Sequence, residues 1–295
     1  MQHCLFSISY AGLWGQDRLD LLDFIDRAAA LGYAGVMIAG KRPHLSPLEA
    51  RPERLAAVRQ RLETAGIRCA VIAGYTDFSG VGPPMVPVLE LQIAYVEELG
   101  RIAAALGAPY VRVFTGFEAP GQPVLAVWQR VVGALRECSE RVAAWGITLA
   151  VQNHHDIGVH TDAMAELLAD VDRPNCKLGF DAWSLALRGE DLYAAAKRMA
   201  PQAVLTTNAD YIQIPRARYR PDVENYEALA PALVKAVPFG TGCVDYGAFF
   251  AGLRHGGFDG VATYEMCAPL RGGGSMENLD RCARGYLEWM RARGY

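Results

Sequence analysis

Short apolar or β-branched runs alternate along the whole chain with stretches whose apolar positions recur three and four residues apart. The runs predict strands near residues 4–9, 35–39, 67–73, 110–115, 147–152, 176–181, 203–208 and 260–265. The stretch 20–31 is typical of what lies between them: Leu21, Phe24, Ile25 and Ala28 share one helical face, and Gly32 follows as a capping signal. Helix, glycine and strand recur in that order at Gly66, Gly107, Gly146 and Gly257, which fits left-handed caps turning the chain into the next strand. Strands spaced by roughly 30 to 40 residues, each followed by a helix, imply parallel pairing. Eight such units close a barrel, so the fold class is α/β, a single (β/α)8 TIM barrel over residues 1–295. The competing open sheet normally carries a glycine-rich turn after its first strand, and Ser9-Tyr10-Ala11-Gly12-Leu13-Trp14-Gly15 lacks that spacing.

Two connections are long, 74–87 and 208–245. Both follow strands, so in a barrel they belong to the face that carries active sites. The second holds Arg216, Arg218 and Arg220 and is read as a loop over the active site, with Arg216 and Arg218 as contacts to substrate.

Alternate strand residues point into a barrel, and the last of them face the substrate. In strand five, Thr148, Ala150 and Gln152 take the inward side, with His154 two residues further on. In strand six Lys177, Gly179 and Asp181 point inward, and in strand eight Val261, Thr263 and Glu265. Gln152, Asp181 and Glu265 thus converge at one mouth. Carboxylates there are costly unless a cation or hydrogen-bond donors satisfy them. Oxygen ligands with an imidazole suit Mg, Mn or Zn.

Composition narrows the function. The net charge is −3 with both signs interspersed, unlike the basic stripe of a nucleic-acid binder. No apolar run is long enough to cross a bilayer. Seven scattered cysteines without a CxxC pair fit reduced thiols. A start that lacks a basic n-region, a long apolar stretch and a small-residue cleavage site gives no reason to expect secretion. The expectation is a soluble cytoplasmic protein with a small-molecule carbohydrate as partner, neither nucleic acid nor membrane, and a homo-oligomer left open.

The chain resembles the sugar phosphate isomerase/epimerase family, the barrel group related to xylose isomerase. The resemblance rests on Ile147-Thr148-Leu149-Ala150-Val151-Gln152-Asn153-His154, on Gly179-Phe180-Asp181, on residues 239–246 and on Gly257-Phe258-Asp259-Gly260 leading to Tyr264-Glu265. In that family a Glu, an Asp, a His and a Glu from strands five to eight hold one divalent metal, and the two glutamates exchange protons with substrate. The resemblance carries Asp181 and Glu265 over directly. Gln152 stands in place of the first Glu, and no His ends strand seven. The implied metal set is Gln152, Asp181, Asn208 and Glu265, with Thr207 as the alternative to Asn208.

Glu265 is the candidate acid/base residue. His154, an imidazole suited to proton transfer near neutrality, is its candidate partner in place of the missing glutamate. Lys41 and His44 after strand two, Arg112 near the end of strand four, and Trp183 after Asp181 are candidate substrate contacts. The implied reaction is metal-assisted isomerisation or epimerisation of a small sugar, keto-sugar or cyclitol. The alternatives are a lyase eliminating a β-group from an oxidised sugar, and a non-catalytic sugar-binding barrel. The DNA-repair branch of the same fold needs more histidines than the six present.

Overall fold

The computed structural model describes residues 1–83 and 85–295. The barrel strands are β1 (Gln2–Phe6), β2 (Gly35–Ala39), β3 (Arg68–Ala73), β4 (Tyr110–Val113), β5 (Thr148–Gln152), β6 (Cys176–Asp181), β7 (Ala203–Asn208) and β10 (Val261–Tyr264). All pair in parallel, each with its sequence neighbour, and β1 closes the barrel against β10. The helices α1 (Leu21–Ala30), α2 (Pro52–Ala65), α3 (Val88–Leu106), α4 (Val124–Ala143), α5 (Thr161–Val171), α6 (Ala182–Leu187), α7 (Leu192–Met199), α8 (Tyr246–His255) and α9 (Met276–Arg291) follow the strands in turn. Between β7 and α8 two further strands, β8 (Asp210–Arg220) and β9 (Asn225–Val237), pair only with each other, antiparallel.

Local sequence explains the elements. Asp20 caps α1 by accepting from the backbone N–H of Leu22 and Asp23, and Leu21, Phe24, Ile25 and Ala28 go to the buried face. The pleat divides the strands between two cores. Phe6, Met37, Val71, Ala150, Leu205 and Val261 fill the barrel interior, whereas Leu5, Ile38, Ile72, Leu149, Leu178 and Ala262 pack against the helices.

Register decides which polar residues reach the mouth. On β7, Leu205 pairs with Val261 and Thr207 with Thr263, all on the interior side. Thr206 and Asn208 pair with Ala262 and Tyr264 and face the helices.

The long connection after β7 is therefore a two-stranded ribbon rather than an irregular loop. Most of its side chains are solvent-exposed; Tyr226 keeps 70% of its surface. Its base is tied to the barrel. Asp210 accepts from the backbone N–H of Gly242 at 2.7 Å and of Tyr211 at 2.9 Å. Gly242 has to be glycine, since a Cβ there would lie 2.1 Å from Asp210 Oδ1. The Tyr246 hydroxyl bonds Ala209 through both backbone groups.

Candidate active site

The interior opens at the C-terminal ends of the strands into a cavity of about 280 Å³. Its lining is Phe6, Ile8, Trp14, Tyr75, Arg112, Phe114, Gln152, His154, Glu265 and Cys267. A space of this size suits a small ligand, and the mix of aromatic walls with few polar groups is typical of small-molecule sites.

Glu265 follows the last residue of β10, and its N–H donates to Asn208 O. Burial first, and then the neighbouring Asp181 carboxylate, push its pKa up to about 7. Asp181 ends β6 under the cavity wall, where burial raises it to about 6 against the pull of its hydrogen bonds. Those bonds come from the Trp183 N–H at 2.8 Å, which caps α6, and from Gln152 Nε2 at 3.1 Å. Asn153 fixes the spacing of the two strand ends, accepting from Asp181 N and donating to Asp181 O. Cys267 sits two residues past Glu265, its Sγ 3.5 Å from Oε1 and 2.7 Å from the Tyr211 hydroxyl. Sequence reasoning passed over Cys267, although its spacing from Glu265 puts both on one side of the chain.

His154 lies against Phe114, ring centroids 4.5 Å apart, with one side open to the cavity. Desolvation, then His155 and Arg112, lower its pKa, so the ring is neutral at physiological pH. Its Nδ1 accepts from the backbone N–H of His155 at 2.8 Å, so the single ring proton belongs on Nε2. The same Nδ1 lies 2.9 Å from His155 Nδ1, so the neutral ring is engaged by His155 on that side. The turn that aims it depends on His155 at φ 67, a left-handed conformation rarely adopted by a residue with a side chain.

Arg112 is 2% exposed. Its Nη1 donates to Gly74 O at 2.8 Å, and its guanidinium lies 4.0 Å from the Phe114 ring centroid and 4.9 Å from that of Tyr75. Gly74 makes the approach of β3 to β4 feasible, since a Cβ would stand 2.9 Å from Arg112 O. Lys41 Nζ is 3.6 Å from the centroid of the same Tyr75 ring.

The other expected site residues fall elsewhere. His44 is buried against Phe24, its Nε2 3.3 Å from Leu19 O, and desolvation holds it near pKa 4; it packs the barrel wall. Trp183 leans on Tyr211 and does not line the cavity. Arg216 and Arg218 are exposed on the ribbon, with Arg216 donating to Pro231 O. Asn208 points between barrel and helices, its amide nitrogen donating to Thr206 Oγ1 and Thr263 O, which removes it from any metal set.

The remaining donors do not fit a divalent ion. Gln152 turns an N–H, not an oxygen, toward Asp181. The guanidinium of Arg112 already lines the cavity. Among the described residues, no three of His, Cys, Asp and Glu converge on a point.

Residues 25–293 match the family described as the xylose isomerase-like TIM barrel, and the chain belongs to that family. No curated protein matches it in sequence. Solved structures that resemble it include a xylose isomerase domain protein from Planctomyces limnophilus, at 20% identity and TM-score 0.72, over 99% of this chain and 96% of that one. The probable 3-DHS dehydratase of petrobactin synthesis from Bacillus anthracis matches at 18% identity and TM-score 0.73, over 99% of both chains. The 3-keto-D-glucoside 4-epimerase from E. coli matches at 15% identity and TM-score 0.73, again over 99% of both. Likeness at these identities is likeness of fold. No helix among the described residues is long and apolar enough to cross a membrane.

Proposed function

We propose that the chain is an enzyme of the isomerase and epimerase type, moving a proton next to the carbonyl of a small sugar, keto-sugar or cyclitol. The observation that carries the reading is Glu265, a carboxyl with pKa raised to about 7 on the wall of a small, partly aromatic cavity. A base poised near the working pH is well matched to taking a carbon-bound proton.

The Glu265 carboxylate removes the proton α to the carbonyl, and the electron pair moves onto the carbonyl oxygen. The N–H of neutral His154 and the guanidinium of Arg112 stabilise the resulting enolate by hydrogen bonding and charge. Protonated Glu265 then returns the proton to the former carbonyl carbon while the α-hydroxyl proton passes to the enolate oxygen, completing isomerisation. Gln152 cannot serve as a second base, and this favours one alternative: the same enolate expels a β-hydroxyl, which leaves as water with the proton from Glu265.

Both outcomes share the first step, so that step is the test. The protein is incubated in D₂O with a panel of ketoses, aldoses, inososes and 3-keto-glycosides, and proton NMR follows the α-position. Exchange or turnover of at least one compound is expected, and Glu265→Gln should abolish it. Absence of exchange across the panel, or equal exchange in Glu265→Gln, would sink the reading.

A further inference from the structure

The cavity wall carries a buried cation that makes no direct ion pair with the two carboxylates of the site, Glu265 and Asp181, although its charge reaches both. Arg112 brings a full positive charge to its wall at 2% exposure. It forms no ion pair among the described residues. Among the described residues Nη1 donates to Gly74 O, and Nε is buried with no partner. A buried cation with an unpartnered donor carries a large desolvation penalty, which the Phe114 and Tyr75 rings offset only in part. Lys41 adds a second cation against the Tyr75 ring. Asp181, by contrast, is already bonded to Gln152 and the α6 N-terminus.

From this geometry we infer that the substrate is an acid: a polyol or keto-sugar bearing a carboxylate, which Arg112 grips with Lys41 in support while the reacting carbon faces Glu265. The inference rests on the proposed function for the identity of the reacting end, but not for the anion contact. A carboxylate fits better than a phosphate. The guanidinium lines the cavity and offers a charged donor to a planar carboxylate. A phosphate dianion would bring a third oxygen and a second charge into a cavity of about 280 Å³ whose other walls are Phe6, Ile8, Trp14 and Phe114.

The test uses the full chain and titrates D-glucuronate, quinate, D-glucose, myo-inositol and D-glucose 6-phosphate by calorimetry, with tryptophan fluorescence as a second reading because Trp14 lines the cavity. The two carboxylates should bind about ten- to hundredfold tighter than the two neutral compounds, the usual worth of a charge-assisted contact. Arg112→Gln should erase that preference, and Lys41→Met should weaken only the carboxylates, by a smaller factor. If Arg112→Gln fails to fold by circular dichroism, Arg112→Lys and Lys41→Met decide the matter: an undiminished preference in both overturns the proposal. It is also overturned if neutral compounds bind equally, if the phosphate binds tightest, or if neither carboxylate binds. Glu265→Gln should keep the carboxylate preference. A Glu265→Gln protein that still exchanges substrate protons defeats the proposed function and leaves the anion contact standing, whereas a parent protein that exchanges substrate protons without preferring carboxylates does the reverse.

Discussion

The side-chain amide of Gln152 donates to Asp181 Oδ2 across 3.1 Å, so an N–H group joins β5 to β6 at the floor of the site. Gln152→Glu would replace that donor by a second carboxylate facing the first. The two would raise each other's pKa, and the folded state should lose on the order of 1–2 kcal/mol at pH 8 relative to pH 5. It would also supply a third carboxylate, so millimolar Mn²⁺ should restore the lost stability in the variant while neither Mn²⁺ nor EDTA moves the parent protein. Urea melts at the two pH values, with and without the ion, check both halves. A parent protein strongly stabilised by Mn²⁺ would contradict the reading of the donor set.

Glu265 should dominate both rate and pH dependence. Its pKa rises on folding, so its favourable contribution is complete below the usual carboxylate range and is lost as pH climbs through about 7. The melting temperature of Glu265→Gln should therefore overtake that of the parent increasingly between pH 5 and pH 8. Activity should move the opposite way in the parent, falling below about pH 7 as the base is protonated. Glu265→Gln should cost on the order of 10² to 10⁴ in kcat. A flat pH–rate profile from pH 5 to 8 would exclude this carboxyl as the base.

His154 should behave as a donor. His154→Gln retains an N–H and is expected to lose on the order of tenfold in kcat, whereas His154→Phe loses on the order of 10² to 10³, as removal of a preorganised donor does. Neither substitution should shift the acid limb of the pH profile, since that limb belongs to Glu265. A displaced limb in His154→Gln would return the histidine to the role of base.

The arginines of the ribbon should be dispensable for chemistry. Arg216→Ala and Arg218→Ala alter exposed side chains outside the cavity. Each should stay within about 0.5 kcal/mol of the parent in stability and leave kcat/KM nearly unchanged. A large rise in KM in either would place the ribbon over the substrate after all.

These outcomes bear on how far residues alone could be read. The β2 and β7 segments were legible because runs holding β-branched residues end at glycine or at a polar residue, and the inward alternation that selects Gln152, Asp181 and Glu265 follows from the pleat. Strand seven resisted because Thr206, Thr207 and Asn208 are all small and polar, so no hydrophobic pattern says which side faces in; only pairing with Val261 and Thr263 does. His44 was ambiguous for a similar reason, since a histidine after a strand gives no sign that Phe24 and Leu19 O will enclose it. Arg112 was visible, but its burial beside Phe114 and Tyr75 depends on contacts across β3 and β4. The ribbon hid behind Pro215 and Pro231, which argue against strands; both lie at or beside the register break after Ile214, and a two-stranded ribbon has free edges that tolerate proline.

The closure at the foot of the ribbon makes it a detachable part. Asp210 stitches Gly242 and Tyr211 together, Cys243 N donates to Tyr211 O at 2.8 Å, and Tyr246 holds Ala209, all without help from residues farther out. Gln213 and Val234 already face each other across the two strands. A chain in which residues 214–233 give way to a two-residue Asn-Gly turn would keep the seam, α8 and every side chain of the cavity. The barrel and the ribbon can thus vary independently, the ribbon in length and surface character.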